Sequence, residues 1–194
     1  GHELSGAPDF VTIKRRNGTD AWYTWMSGMG GTQYLSLDTD DAVATNSAVY
    51  TALPTSTVVN GGTNFGSGTY IMYCFRSVPG LLQAGKYVGN GDADGPLVLT
   101  GFQPRFVLIK GDTSGQEWEI YDTARNPTND DSPVYLEPDN DGAEGTDHKD
   151  LDLLSNGFKI RDTTATLNGS GTSYFYVAIA DVATGTGLPP IPGR

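Results

Sequence analysis

Six consecutive residues in the second half of the chain, Glu117-Trp118-Glu119-Ile120-Tyr121-Asp122, have the types and spacing for acid–base chemistry. On a β-strand Glu117 and Glu119 fall on one face about 6.5 Å apart, near the separation at which paired carboxylates cleave glycosidic bonds. Asp122 joins that face only after a bulge. Outward acids are also ordinary on a solvated strand, so the pair is a candidate and no more.

Two acidic turns are candidates for a structural calcium ion. Asn90, Asp92, Asp94 and Gly95 imitate the start of a calcium loop, as do Glu137, Asp139, Asp141 and Gly142. An EF-hand needs a glutamate at the twelfth position, and here those positions hold Gly101 and His148. The candidate ligands are therefore Asp92, Asp94, Asp139 and Asp141, in irregular loops whose commoner state is a solvated turn. Other chemistries lack their residues. The two histidines are His2 and His148, and the one cysteine is Cys74, too few for a catalytic triad, a zinc site or an internal disulfide. The pairs Gly61-Gly62 and Gly89-Asn90-Gly91 precede no helix that would hold a phosphate. No cofactor is expected beyond that calcium.

The elements that position these groups are strands. In the second half they are expected over about 106–110, 117–121, 133–137, 151–154, 157–161 and 173–180, separated by turn residues such as Asn126-Pro127 and Asn156-Gly157. Cys74 lies in such a run, Tyr70 to Phe75, and reads as a small buried hydrophobe. Along 117–121 the apolar side chains Trp118 and Ile120 share a face, which reads as core and turns Glu117, Glu119 and Tyr121 outward. The matching strand of the first half then buries Trp22 and exposes Tyr23 and Trp25. Tyr23, Trp25 and Tyr121, with Glu117 and Glu119 beside them, are the candidate contacts for a sugar ring or another subunit.

That match between halves is an internal duplication. Pro8-Asp9-Phe10-Val11-Thr12-Ile13-Lys14 reappears 96 positions later as Pro104-Arg105-Phe106-Val107-Leu108-Ile109-Lys110, and Trp22 meets Trp118 at the same offset. Tyr34-Leu35 matches Tyr135-Leu136, and Gly66-Ser67-Gly68-Thr69 matches Gly169-Ser170-Gly171-Thr172. The expected organisation is one all-β domain over 1–184, an antiparallel, jelly-roll-like sandwich. Its repeats cover about 7–75 and 103–181 and are joined by 76–102. Two separate small sandwiches are the alternative. Residues 76–102 supply a strand, a Gly/Asp turn and a second strand ahead of the second repeat. The first repeat has only Gly1 to Ala7 before it, so the parent protein is expected to continue upstream. The Pro/Gly-rich stretch 185–194 is expected to be an extended arm.

With 194 residues, 26 of them glycine, and a net charge of −11, the chain is repelled by phosphate backbones and anionic headgroups. Nucleic-acid partners and membrane insertion are therefore not expected. The basic run Lys14-Arg15-Arg16 reads as a charged strand end.

Several of these segments carry a resemblance. Phe10 to Asn17, Gly68 to Phe75, Tyr87 to Gly91, Asp94-Gly95-Pro96, Gly101 to Pro104, Tyr121 to Pro127 and Leu154 to Arg161 resemble a domain family of unknown function found in bacteriophage virion proteins, including tail-fibre-like ones. The likeness spans about residues 1–181, and only the Gly/Pro-rich tail departs from the family's aromatic, basic ending. It implies a virion location and a non-enzymatic structural or adhesion role in a tail fibre, spike or appendage. The implied partners are other virion proteins, further copies of the chain and a host-surface glycan. A capsid decoration or head-fibre protein is the close alternative. A second alternative is a polysaccharide depolymerase using Glu117 and Glu119. That strand loosely resembles the acidic strand of jelly-roll glycosidases, which carries Glu, Asp and Glu where this one has Glu, Glu and Asp.

Overall fold

A computed structural model describes residues 1–129, 133–146 and 150–180. The chain is an all-β sandwich of three antiparallel sheets. The five-stranded sheet has the order β4-β3-β2-β1-β5, from β1 (Phe10–Arg15), β2 (Tyr23–Met26), β3 (Gln33–Ser36), β4 (Ala44–Thr45) and β5 (Tyr70–Phe75). The four-stranded sheet runs β6-β12-β8-β9, from β6 (Leu82–Val88), β8 (Pro104–Gly111), β9 (Glu119–Asp122) and β12 (Ser173–Ala180). The three-stranded sheet is β10-β11-β7, from β7 (Leu97–Leu99), β10 (Leu151–Leu154) and β11 (Gly157–Ile160). A 3-10 turn at Thr63–Phe65 and a single helical turn, α1 (Ala165–Asn168), complete the elements.

The four-stranded sheet lies in the middle, and its sequence explains why. Ser173-Tyr-Phe-Tyr-Val-Ala-Ile-Ala180 and Arg105-Phe-Val-Leu-Ile109 are apolar at both parities, the pattern of strands covered on both faces. From β12, Tyr174, Tyr176, Ala178 and Ala180 enter one core, together with Val98, Leu153, Phe158 and Ile160 of the three-stranded sheet. Phe175 and Val177 enter the other, with Phe10, Met26 and Leu35 of the five-stranded sheet. Between them the two cores remove large apolar areas from water, the main favourable contribution to folding.

This burial on both faces corrects the outward assignments. The alternation along β9 is as read, with Trp118 fully buried against the five-stranded sheet. The opposite face is not solvent, because the three-stranded sheet covers it. Tyr121 is 1 % exposed and Glu119 is 0 % exposed. Glu117, just before the strand, is half-buried. In the first half, residues 46–65 cover the outer face of β2. Tyr50 donates its hydroxyl to the Tyr23 carbonyl at 3.0 Å, and the Tyr23 and Phe65 rings meet edge-on at 5.7 Å. Trp25 is buried with its indole N–H on Gly30 O at 3.1 Å, so it is no surface platform. Trp22, expected in the core, is instead half-buried, with the Lys14 ammonium 5.6 Å from its ring centroid.

Strand positions follow expectation closely in the second half, except that Tyr135 and Leu136 make only isolated bridges. The expected hairpin is present, with Leu154 paired to Gly157 around Ser155-Asn156. Gly157 is needed for a reason the turn does not supply. A Cβ there would lie 2.0 Å from the Val98 carbonyl oxygen, because β7 packs directly against β11. Gly157→Ala is therefore expected to cost about 1–3 kcal/mol through overpacking. A urea titration followed by tyrosine and tryptophan fluorescence reads that loss; an unchanged midpoint would show that the two strands separate easily.

The two halves also share pairing registers. Ile13 pairs with Tyr23 and Phe10 with Met26; 96 positions on, Ile109 pairs with Glu119 and Phe106 with Asp122. Arg15 pairs with Tyr70 on one side of β1, as Gly111 pairs with Tyr174 on the same side of β8. The Trp22 amide donates to Asp38 at 3.0 Å and the Trp118 amide to Asp139 at 3.2 Å. One difference matters for the site. The edge of β12 away from β8 is occupied by β6, whereas the equivalent edge of β5 is the end of its sheet.

Candidate functional site

The acidic strand does not turn its two carboxylates together to solvent. Glu119 points into the core beside Tyr87 and Tyr121, whose phenols are pushed up first by burial and then by neighbouring charges, Glu119 among them. Glu117 lies near Lys110, and its charge opposes the loss of protonation there. So placed, the two carboxylates do not face a common solvent-reachable space, which glycoside hydrolysis requires.

The loop at 90–95 is closed by an amide. Asn168, fully buried at the end of α1, directs its side-chain NH2 at Asn90 Oδ1 (3.0 Å), Asp92 O (2.7 Å) and Asp162 O (2.7 Å), and its Oδ1 accepts from the Asn90 N–H at 2.8 Å. Of the residues that looked like cation ligands, Asn90 gives this NH2 group its side-chain oxygen and Asp92 only its main-chain carbonyl, while the Asp92 carboxylate accepts from the Asp94 N–H at 2.9 Å. The Asp94 carboxylate pairs with Lys159 at 2.7 Å and Arg161 at 3.8 Å, and hydrogen bonding to Lys159 lowers its pKa. Asp139 caps the Trp118 amide through both oxygens at 3.2 Å, and burial raises its pKa. Asp141 is exposed nearby. Among the described residues no group of three or more His, Cys, Asp or Glu is placed to hold a metal ion. His148 lies outside the described residues, as does the stretch 185–194.

Two features had no counterpart in the sequence reading. Lys110 is fully buried and donates to the carbonyls of Asp41 (3.0 Å), Gly111 (3.2 Å) and Asp40 (3.4 Å). Burial lowers its pKa against the opposing pull of Asp139, Asp40, Asp41 and Glu117. It fastens the loop after β3 to the central sheet; a buried lysine is not legible from residue type alone.

The second feature is the open side of the stack. Phe10, Phe75, Leu82, Phe106, Leu108, Val177 and Ile179 line a cleft of about 210 Å³ between the five-stranded and four-stranded sheets. At its rim β5 presents Ile71, Tyr73 and Phe75, which are 39 %, 42 % and 42 % exposed. All three project on one face, in register with Lys14, Thr12 and Phe10 of β1. The strand Tyr70-Ile-Met-Tyr-Cys-Phe75 holds no charge and no proline, the devices that ordinarily protect a sheet edge. That composition is a signal a sequence reading can use, once it is known that the strand ends its sheet.

Cys74 faces away from that strip, paired with Val11, and burial pushes its thiol pKa up. It is expected to react with iodoacetamide at pH 8 about tenfold or more slowly than an exposed thiol, and to reach the exposed rate only in denaturant. Equal rates in the folded and unfolded protein would place the sulfur on the surface.

The strand edge, the apolar cleft and the amide-closed loop are all held within a single matched region. A family model described as a domain of unknown function (DUF7483) matches residues 1–182. No curated protein and no solved structure matches the chain significantly. The chain therefore belongs to the DUF7483 family of domains of unknown function.

Proposed function

We propose that this domain is a structural and adhesion module of a bacteriophage particle, part of a tail fibre, spike or other appendage, built by internal duplication. The duplication reading is supported by the shared pairing registers of β1-β2-β5 and β8-β9-β12. The virion reading draws on the resemblance of Gly68 to Phe75, Tyr121 to Pro127 and Leu154 to Arg161 to phage particle domains.

The observation that carries a contact role is where the reactive and aromatic side chains go. Glu119, Tyr121 and Trp25 are buried, the 90–95 loop is closed by Asn168, and the apolar strip of β5 stays exposed. Such a surface offers attachment. The strip also favours a second reading, a capsid decoration or head-fibre protein, because three adjacent apolar side chains suit a protein partner better than a sugar. Of a glycan platform on Tyr23, Trp25 and Tyr121, the rings of Trp25 and Tyr121 are buried and Tyr23 is half-buried, while Tyr73 and Phe75 are exposed aromatics on β5.

Immunogold electron microscopy of the source particles tests the proposal. Label on a tail appendage is the expected result, label on the head favours the decoration reading, and absence from purified particles refutes both.

A further inference from the structure

We infer that the free edge of β5 is a pairing surface for β5 of a second copy of this chain, forming an antiparallel two-stranded junction about a twofold axis. The inference does not depend on the virion reading; it rests on backbone groups, composition and an internal precedent.

The backbone comes first. Arg16 N–H donates to Thr69 O at 2.7 Å, which directs the odd-numbered residues of β5 toward β1. Alternation in an antiparallel ladder then leaves the amides and carbonyls of Tyr70, Met72 and Cys74 on the outer edge. Other sheet edges among the described residues are short or covered. The edges β4 and β7 have two and three residues. Ile120 of β9 bridges to Leu136. On β6, Ala84 N–H donates to Ser77 Oγ at 3.1 Å and Leu82 O accepts from Val78 N–H at 2.8 Å. On β10, Leu153 exchanges hydrogen bonds with the Asn129 side chain at 2.9 and 3.0 Å. Among the described residues the six-residue edge of β5 has no such cover.

The precedent is β12, which holds the place in the second half that β5 holds in the first and carries β6 antiparallel along the same edge. The occupant follows from chemistry. Centred on Tyr73, self-pairing sets Ile71 opposite the partner's Phe75 and Tyr73 opposite its own copy, with Met72 and Cys74 exchanging backbone hydrogen bonds. No charge opposes this, and the joined strip is continuous with the cleft at Phe75 and hence with the packed interface between the two large sheets.

Sedimentation velocity on the isolated domain, with hydrogen exchange on the same samples, tests it. The wild type is expected to be a dimer at micromolar concentration. Tyr73→Lys, at a half-exposed position, is expected to be a monomer with unchanged far-ultraviolet circular dichroism. Ile71→Glu is the second variant. The Met72 and Cys74 amides are expected to exchange about tenfold faster in the monomer, while the Tyr73 amide, bonded to β1, keeps its rate. The same amides in the wild type should slow as concentration rises, a readout that needs no substitution. A wild-type monomer or trimer, or a dimer that survives both substitutions, overturns the inference.

Discussion

Trp118→Ala is expected to lower the unfolding free energy by about 3–5 kcal/mol, the range for emptying a fully buried aromatic site. Trp118 is 0 % exposed, and its indole N–H reaches across to the Ser36 carbonyl at 2.9 Å, joining the four-stranded sheet to the five-stranded one. Truncation removes the ring, leaves a cavity and takes from that carbonyl the shorter of two hydrogen bonds, the other coming from the Thr39 N–H at 3.4 Å. Trp22→Ala is the internal control. Trp22 is the matched residue of the first half, but it is only half-buried, and about 1–2 kcal/mol is expected from its partial burial. Urea denaturation of both variants measures the contrast. Equal losses would mean that the two tryptophans do equivalent jobs, against the asymmetry of the stack.

Asn168 carries the second large effect. Its amide makes four hydrogen bonds inside the protein and ties the turn between β6 and β7 to α1. Asn168→Ala leaves the Asn90 N–H and the carbonyls of Asp92 and Asp162 without this partner, and a loss of about 2–4 kcal/mol is expected. Asn168→Asp should be worse despite its matched size. It replaces the donor NH2 with an acceptor facing three oxygens, so contacts at 2.7 to 3.0 Å become repulsive. Thermal melts order the three proteins as wild type, Ala, Asp. An Asp variant as stable as the wild type would show that the loop rearranges or takes up a cation.

Much of the fold was legible because periodicity and turn chemistry are local properties. The runs at 106–110, 151–154 and 173–180 lie where their sequences place them, and the expected hairpin turns at Ser155-Asn156, one residue ahead of Asn156-Gly157. What remained hidden was which faces a third layer covers. The alternation Trp118/Ile120 against Glu119/Tyr121 was read correctly, yet covering both faces turns an apparent surface into core. Glu119 misled for the same reason, since nothing in its type marks a carboxylate that packs beside Tyr121. The loop at 90–95 looked like a cation site because its partner, Asn168, lies far along the chain, and long-range pairing has no local signature. The exposed strip of β5 was visible only as an apolar run; its place at the end of a sheet is a fact of topology.

The central claim is that this domain acts by assembly and contact rather than by chemistry, and cryo-electron microscopy of the source particle tests it most directly. The account predicts the three-sheet stack repeated on an appendage, with Ile71, Tyr73 and Phe75 buried against a neighbouring subunit. A particle lacking the domain, or one in which β5 faces solvent while polysaccharide occupies another surface, would contradict it.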